Sequence, residues 1–304
     1  MSIDLEPSVR RVLQRINQQL QDKQQVQRKA QQASMQQLQL WCDRHELDTQ
    51  GCFGHTQVLF DRRMLQTIEQ TLSELNLASL DTDLSQTSRL DQGELGDGEY
   101  KSVGESPTEK RVLMAQANCG AYFPEWVKTA PSQWVMDIAW PSLQLDEFTH
   151  LLVVENRDVF YQYFALHPQR YSLPEDALSA LVIYRGDGEE SKGCKALREA
   201  CLALAKPVIY FGDYDTAGLN FAINGGYTHL LLPTAAELLQ RANAVSQDAK
   251  QIHLAASVTA FAQQLTADDP LQALLLHNTQ QQKGLRQQAF QGPLQLLAIK
   301  RVTV

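Results

Sequence analysis

No run of apolar residues in this 304-residue sequence approaches the roughly 20 that span a bilayer. The opening stretch MSIDLEPSVRRVLQRINQQL also lacks the apolar core of a signal peptide. A cytoplasmic protein with no membrane partner is expected. Cysteine is scarce and scattered: Cys42, Cys52, Cys119, Cys194 and Cys201 are odd in number and form no CxxC pair. That pattern excludes a disulfide framework or a zinc ribbon and suits a reducing compartment. Positive charge is short as well, with 27 Lys and Arg against 35 Asp and Glu and a net charge of -8. The chain therefore does not coat nucleic acid through overall charge.

Local basic stretches remain. Residues 1–45 carry Arg10, Arg11, Arg15, Lys23, Arg28, Lys29 and Arg44, and residues 271–304 hold Lys283, Arg286, Lys300 and Arg301 with no acid. Either could meet phosphates or a partner, with Arg10, Arg11, Arg15, Arg28 and Lys29 as the candidate contacts; the plainer reading is a set of solvated helix faces.

A hydrophobic content of 43% supports a real core, and the length suits two domains plus an appended helix. From Pro7 to Arg44 the pattern predicts one long, Gln-rich helix with an apolar seam at Val9, Leu13, Ile16 and Leu20 that fails between Lys23 and Gln37. This predicts a projecting arm, residues 1–45, that waits for a partner. Residues 46–148 are expected to form a winged-helix-like α+β domain. It would comprise a helix over 56–78, a polar loop, a helix restarting at the Ser106-Pro107-Thr108-Glu109 signal, and a strand at Trp134–Ile138.

From Thr149 the pattern changes. The short apolar runs LLVV, ALVIY, PVIYF and THLLL each end in charged, glycine or proline residues and are each followed by an amphipathic segment. Non-alternating apolar runs read as buried parallel strands, and their alternation with helices predicts a doubly wound α/β domain over 149–304. Cys194, Leu197, Cys201 and Leu204 fall on one helical face, as a helix lying on a sheet requires. Beyond 244 the chain reads as mainly helical with a C-terminal strand, LLAIKRVTV.

Ligands of open parallel sheets collect at the carboxyl ends of the strands. There the sequence places Glu155, Asp213 and Asp215, with Asp187, Glu189 and Lys192 as secondary candidates and Gly186, Gly212 and Gly218 shaping the backbone. Three crowded carboxylates repel unless a cation lies between them, and such hard oxygen donors select Mg²⁺ or Mn²⁺. For Asp158, Asp187, Glu189 and Glu190 a helix cap or first-turn role is the simpler account. A haloacid-dehalogenase-type frame fails, because the residue four past Asp213 is Ala217 rather than Thr.

An apolar strand ending in Glu, a second ending near Gly, and a third ending in Asp-x-Asp resemble the Toprim domain. More narrowly, VVENRDVF followed by YFGDYDTAGLNFA resembles the nuclease subunit of Wadjet-type bacterial condensin systems (JetD, or MksG), itself related to the A subunit of topoisomerase VI. The resemblance covers about Leu151 to Leu239. It implies a Toprim-type DNA endonuclease that uses Mg²⁺ or Mn²⁺ and works as a homodimer with a condensin-like SMC/kleisin complex in antiplasmid defence. It also implies Glu155 as metal ligand or general acid/base, and Asp213 and Asp215 as metal ligands. Thr216 stands where that family has Pro, and Gly284–Gln288, nearest to its Leu-Glu-Gln-Glu-like stretch, carries no acid. The alternatives are a topoisomerase-like transesterase, with Tyr100 or Tyr122 as nucleophile, and a metal-binding docking subunit without catalysis.

Overall fold

The computed structural model describes residues 5–49, 51–84, 87, 89–95, 106, 108–117, 133–244 and 253–300. It comprises two compact units, Met1–Pro107 and Thr108–Val304. The division therefore falls at 107/108 and not at the expected 45/46 and 148/149.

The first unit runs α1 (Pro7–Gln19), β1 (Val26–Lys29), α2 (Ala33–Arg44), β2 (Gln57–Phe60), α3 (Arg62–Glu74) and α4 (Arg89–Glu94). The expected single arm helix is thus two helices with a strand between them. Its seam fails where the polar run Gln21–Gln25 leaves no apolar face to bury, and Val26 instead pairs with Phe60 in an antiparallel ladder. Nor is the segment a projecting arm. Leu5, Val9, Leu13, Ile16, Leu20, Met35, Leu38 and Trp41 are buried in one core with Phe60, Ile68 and Leu72. The start of the helix expected over 56–78 is strand β2. Asp61 then caps α3 by accepting from the Met64 amide. Within the polar loop expected after residue 78, Arg89–Glu94 is helical.

The second unit opens with β3 (Arg111–Ala117) and β4 (Gln133–Ala139). The expected helix restart at residue 106 is not there: residues 108–110 form a turn into β3, whose pairing with β4 along its whole length overrides the local cap signal. There follow β5 (Leu151–Val154), α5 (Arg157–Tyr161), β6 (Tyr171–Ser172), α6 (Glu175–Leu178), β7 (Leu181–Tyr184) and α7 (Ser191–Ala203). The unit ends with β8 (Val208–Phe211), α8 (Thr216–Asn224), β9 (His229–Pro233), α9 (Ala235–Arg241), α10 (Ala255–Ala262), α11 (Pro270–Gln281) and β10 (Gly292–Ala298).

These strands form an eight-stranded mixed sheet in the order β4-β3-β7-β5-β8-β9-β10-β6. Its centre, β7-β5-β8-β9, is parallel, and β3 and β10 flank it antiparallel. Every residue of β5, β7 and β8 is buried, which accounts for their unbroken apolar character. Helix α7 lies on this sheet through Cys194, Leu197 and Cys201. Leu204, expected on the same face, caps the helix and is half exposed.

Connections from β5 lead toward β7, whereas those from β8 lead the other way toward β9. The crevice between β5 and β8 is therefore the topological switch point of the parallel sheet, where neighbouring loops diverge and leave room for a ligand. Among the described residues no helix is long and apolar enough to cross a membrane. Cys42, Cys52, Cys194 and Cys201 form no disulfide among the described residues, and Cys119 lies outside them.

Candidate functional site

The strand register sets the site. Val154 is aligned with Tyr184 on one side and Phe211 on the other, so the next residues, Glu155, Arg185 and Gly212, form a row at the carboxyl edge. Two main-chain bonds extend the ladder there, from the Glu155 amide to the Phe211 carbonyl at 2.8 Å and from the Arg185 amide to the Val154 carbonyl at 2.9 Å.

Glu155 is held on three sides. Its Oε2 accepts from the Tyr210 hydroxyl at 2.5 Å and from the Asp213 amide at 3.2 Å, while its Oε1 lies 3.3 Å from Arg185 Nη1. Gly212 permits this closeness, since a Cβ there would come within 2.4 Å of Glu155 Oε2. The counter-charge supplied by Arg185 is not among the residues that the sequence pattern singles out.

Asp213 follows directly. Its Oδ1 accepts from the Gln287 amide at 2.7 Å, and among the described residues its Oδ2 takes no hydrogen bond. Burial pushes its carboxyl up to about 6; Glu155 and Asp215 add to the rise, while the Gln287 amide and Arg286 oppose it. Asp215 is buried and caps α8, its Oδ1 accepting from the Gly218 amide at 2.7 Å. At Asp215 the plainer capping role is thus realised. Gly218 lets α8 start against the preceding turn, because a Cβ would sit 2.4 Å from the Asp213 carbonyl oxygen.

Gln287 is a second residue that the pattern does not single out. Its side chain, 1% exposed, donates to the Phe211 carbonyl at 3.0 Å and accepts from the Asn156 amide at 3.0 Å, while its own amide binds Asp213. One residue thus staples the ends of β5 and β8. The strap that carries it is fixed by bridges from Tyr214 to Leu285 and from Asn243 to Gly284. No local pattern marks this role, because the partners lie 74 to 131 residues away.

The secondary candidates lie beside this crevice. Asp187 accepts from the Tyr184 hydroxyl at 2.6 Å and lies 4.0 Å from Arg185. Gly186 adopts φ +81°, and a Cβ there would come within 2.6 Å of the Glu190 backbone. Glu190 pairs with Arg157 at 2.5 Å. Lys192 is exposed in the first turn of α7, and the Glu189 side chain lies outside the described residues. Among the described residues, no group of three or more His, Cys, Asp or Glu side chains is arranged to hold a metal ion.

The basic candidates of the first unit divide. Arg10 is 3% exposed and donates to the carbonyls of Ala78 and Ser79, so it holds its own unit together and cannot meet DNA. Its place on α1 beside the buried Val9 and Leu13 accounts for the correction. Arg28 donates to Gln19 and to the Gln27 carbonyl, whereas Arg11, Arg15 and Lys29 are exposed. Tyr100 and Tyr122 lie outside the described residues.

Residues 110–293, more than half of the chain, match the family model described as Domain of unknown function (DUF7281). The chain belongs to that family. Glu155, Arg185, Asp213, Asp215 and Gln287 all fall within the DUF7281 segment. No curated protein and no solved structure matches the chain.

Two expectations arise from this geometry. Asp213 binds its proton more tightly folded than unfolded, so between about pH 4 and 6 its contribution to stability falls as pH rises. At pH 7 the ionised group then costs on the order of 2 kcal/mol, after allowance for its partial exposure. Asp213→Asn should flatten that slope and raise the cation-free melting temperature at pH 7; thermal scans from pH 4 to 7.5 measure both.

Gln287→Ala strands the part-buried Asn156 amide and the buried Phe211 carbonyl, at a cost of roughly 1–3 kcal/mol. Gln287→Glu should be as damaging at pH 8 but partly recover at pH 5, where the protonated carboxyl can again donate to Phe211. Urea midpoints at the two pH values give the comparison.

Proposed function

We propose that this chain is a divalent-cation-dependent DNA endonuclease of Toprim type. The observation that carries the reading is the meeting of Glu155 and Asp213, with Asp215 two residues on, across the β5–β8 switch point of a parallel sheet. Toprim character itself rests on the sequence resemblance, and the strand pattern is compatible with it.

The donor chemistry suits Mg²⁺ or Mn²⁺: carboxylate oxygens are the ligands such cations prefer, and Asp213 Oδ2 takes no hydrogen bond among the described residues. The side chains do not form a closed cage, for Glu155 is engaged at both oxygens and Asp215 caps a helix. Glu155 and Asp213 would be the principal ligands, with Asp215 supporting the turn that presents Asp213. A bound divalent cation would supply charge neutralisation at a phosphodiester and a more acidic water. The chain's own groups hold the carboxylates: Tyr210 and the Asp213 amide orient Glu155, and Gln287 fixes Asp213.

The described phenols at this edge are not candidates for a transesterase nucleophile, and Tyr100 and Tyr122 lie outside the described residues. Burial first, then Glu155, raises the Tyr210 hydroxyl well above its ordinary value, and Tyr184 is pushed up to about 12 by burial and Asp187. Neither is a ready nucleophile. Association with a condensin-like SMC/kleisin complex, plasmid DNA as target and a homodimeric state are proposals carried by the resemblance alone.

The reading is tested by nicking of supercoiled plasmid with Mg²⁺ or Mn²⁺, with and without the co-encoded proteins, followed by detergent trapping. Cation-dependent cleavage with no covalent protein–DNA adduct is expected. Cation binding without cleavage under any of these conditions would favour a docking subunit, and a trapped adduct would favour the transesterase.

A further inference from the structure

The acidic crevice contains a cation of its own. Arg185, at the carboxyl end of β7, places Nη1 3.3 Å from Glu155 Oε1 and Nη2 4.0 Å from Asp187 Oδ1. Its guanidinium lies over the Phe221 ring, 5.3 Å from the centroid, and its buried Nε has no hydrogen-bond partner among the described residues. Both charged side chains of the Glu155 pair are about a quarter exposed, so solvent reaches the contact. A planar guanidinium supported on an aromatic face between two carboxylates can pivot from one to the other without leaving its platform. Asp187, two-thirds exposed at 67%, offers a second seat, and the Tyr184 hydroxyl holds its other oxygen.

On the reading of the site as a divalent-cation centre, we infer that Arg185 is an exchangeable internal counter-ion. It neutralises Glu155 while no divalent cation is bound, gives way toward Asp187 when one binds, and is then the group that contacts the substrate phosphate. This resolves the mismatch between a donor set suited to Mg²⁺ and an arrangement that is not a cage: the ligand oxygen is already paired, with Arg185. It also distinguishes Arg185 from a residue that merely braces the strand ends, because its removal should strengthen cation binding and weaken catalysis together.

Calorimetric titration of the full-length protein with MnCl₂, without DNA, reads the first half of this inference. Arg185→Ala should bind Mn²⁺ more tightly, on the order of 5-fold, as expected for removing one competing, partly exposed charge. Asp187→Asn should bind it more weakly by a similar factor, because Arg185 loses its second seat and stays on Glu155. Opposite shifts from two neighbouring substitutions are not what general loosening of the fold would produce. Plasmid nicking reads the second half: Arg185→Ala should raise KM and lower kcat/KM by about 100-fold, with Arg185→Lys in between. Unchanged or weaker Mn²⁺ binding by a folded Arg185→Ala protein would overturn the inference while leaving the cation centre standing. No Mn²⁺ binding by the wild type at millimolar concentration would remove the cation centre itself, and this inference with it.

Discussion

Asp213→Ala should abolish cation-dependent plasmid nicking, lowering the rate by at least about 1000-fold, the scale expected when a group that positions transition-state charge is lost. Asp213 is the cleanest probe of the crevice. Its Oδ1 accepts a single main-chain hydrogen bond, from the Gln287 amide, and its ionised form already costs stability at neutral pH. The variant should therefore melt no lower than the wild type at pH 7 without divalent cations. Glu155→Ala is a poorer test, because it strands the buried Tyr210 hydroxyl and leaves Arg185 without its Glu155 partner. A purified, folded Asp213→Ala protein that nicks at the wild-type rate would remove Asp213 from the chemistry.

The second large effect concerns the amino-terminal unit. Deleting residues 1–44 removes Leu5, Val9, Leu13, Ile16, Leu20, Val26, Met35, Leu38, Trp41 and Cys42 from a core that otherwise retains Val58, Phe60, Met64, Leu65, Ile68, Leu72, Leu77 and Leu80. Each large apolar side chain is worth about 1.5–3 kcal/mol when buried, so the loss exceeds the roughly 5–15 kcal/mol that holds a whole domain. Residues 45–95 should then become protease-sensitive and lose their cooperative unfolding transition, as limited proteolysis and circular dichroism would register. A truncated protein in which residues 45–95 keep their cooperative transition and their protection would mean that this core does not depend on α1 and α2.

The parts of the structure legible in the sequence are those whose signal is local. LLVV, LVIY and VIYF are buried on both faces of the sheet, and a strand in that position has no polar residue to obscure it. Because Glu155 and Asp213 closely follow such strands, their place at the carboxyl edge is legible from the apolar runs alone. The amino-terminal unit is harder to read for a related reason. Strands β1 and β2 are four residues each and lack clear alternation, so the helical periodicity on either side of Gln21–Gln25 dominates the pattern. The charge of Arg10 points to a phosphate contact, yet its neighbours on α1 face a core, and the return of Ala78 and Ser79 supplies the carbonyls that let it be buried.

Arg185 and Gln287 mark the limit of such reading. Arg185 meets Glu155 only because β7 is aligned beside β5, a fact of strand order that no single segment encodes. Gln287 lies in a polar Gln-rich stretch where nothing distinguishes it from Gln288, its exposed neighbour. What separates them is the arrival of the Asn156 amide and the Phe211 carbonyl from opposite sides.

The order of these parts along the chain has a consequence for synthesis. Glu155 leaves the ribosome first, then Asp213, and the strap bearing Gln287 follows 74 residues after Asp213. Until that strap emerges, the ends of β5 and β8 lack their staple and Asp213 lacks its amide donor. A growing chain can therefore pair its central strands, and set Glu155 beside the Asp213 amide, well before the Asp213 carboxylate gains its own donor.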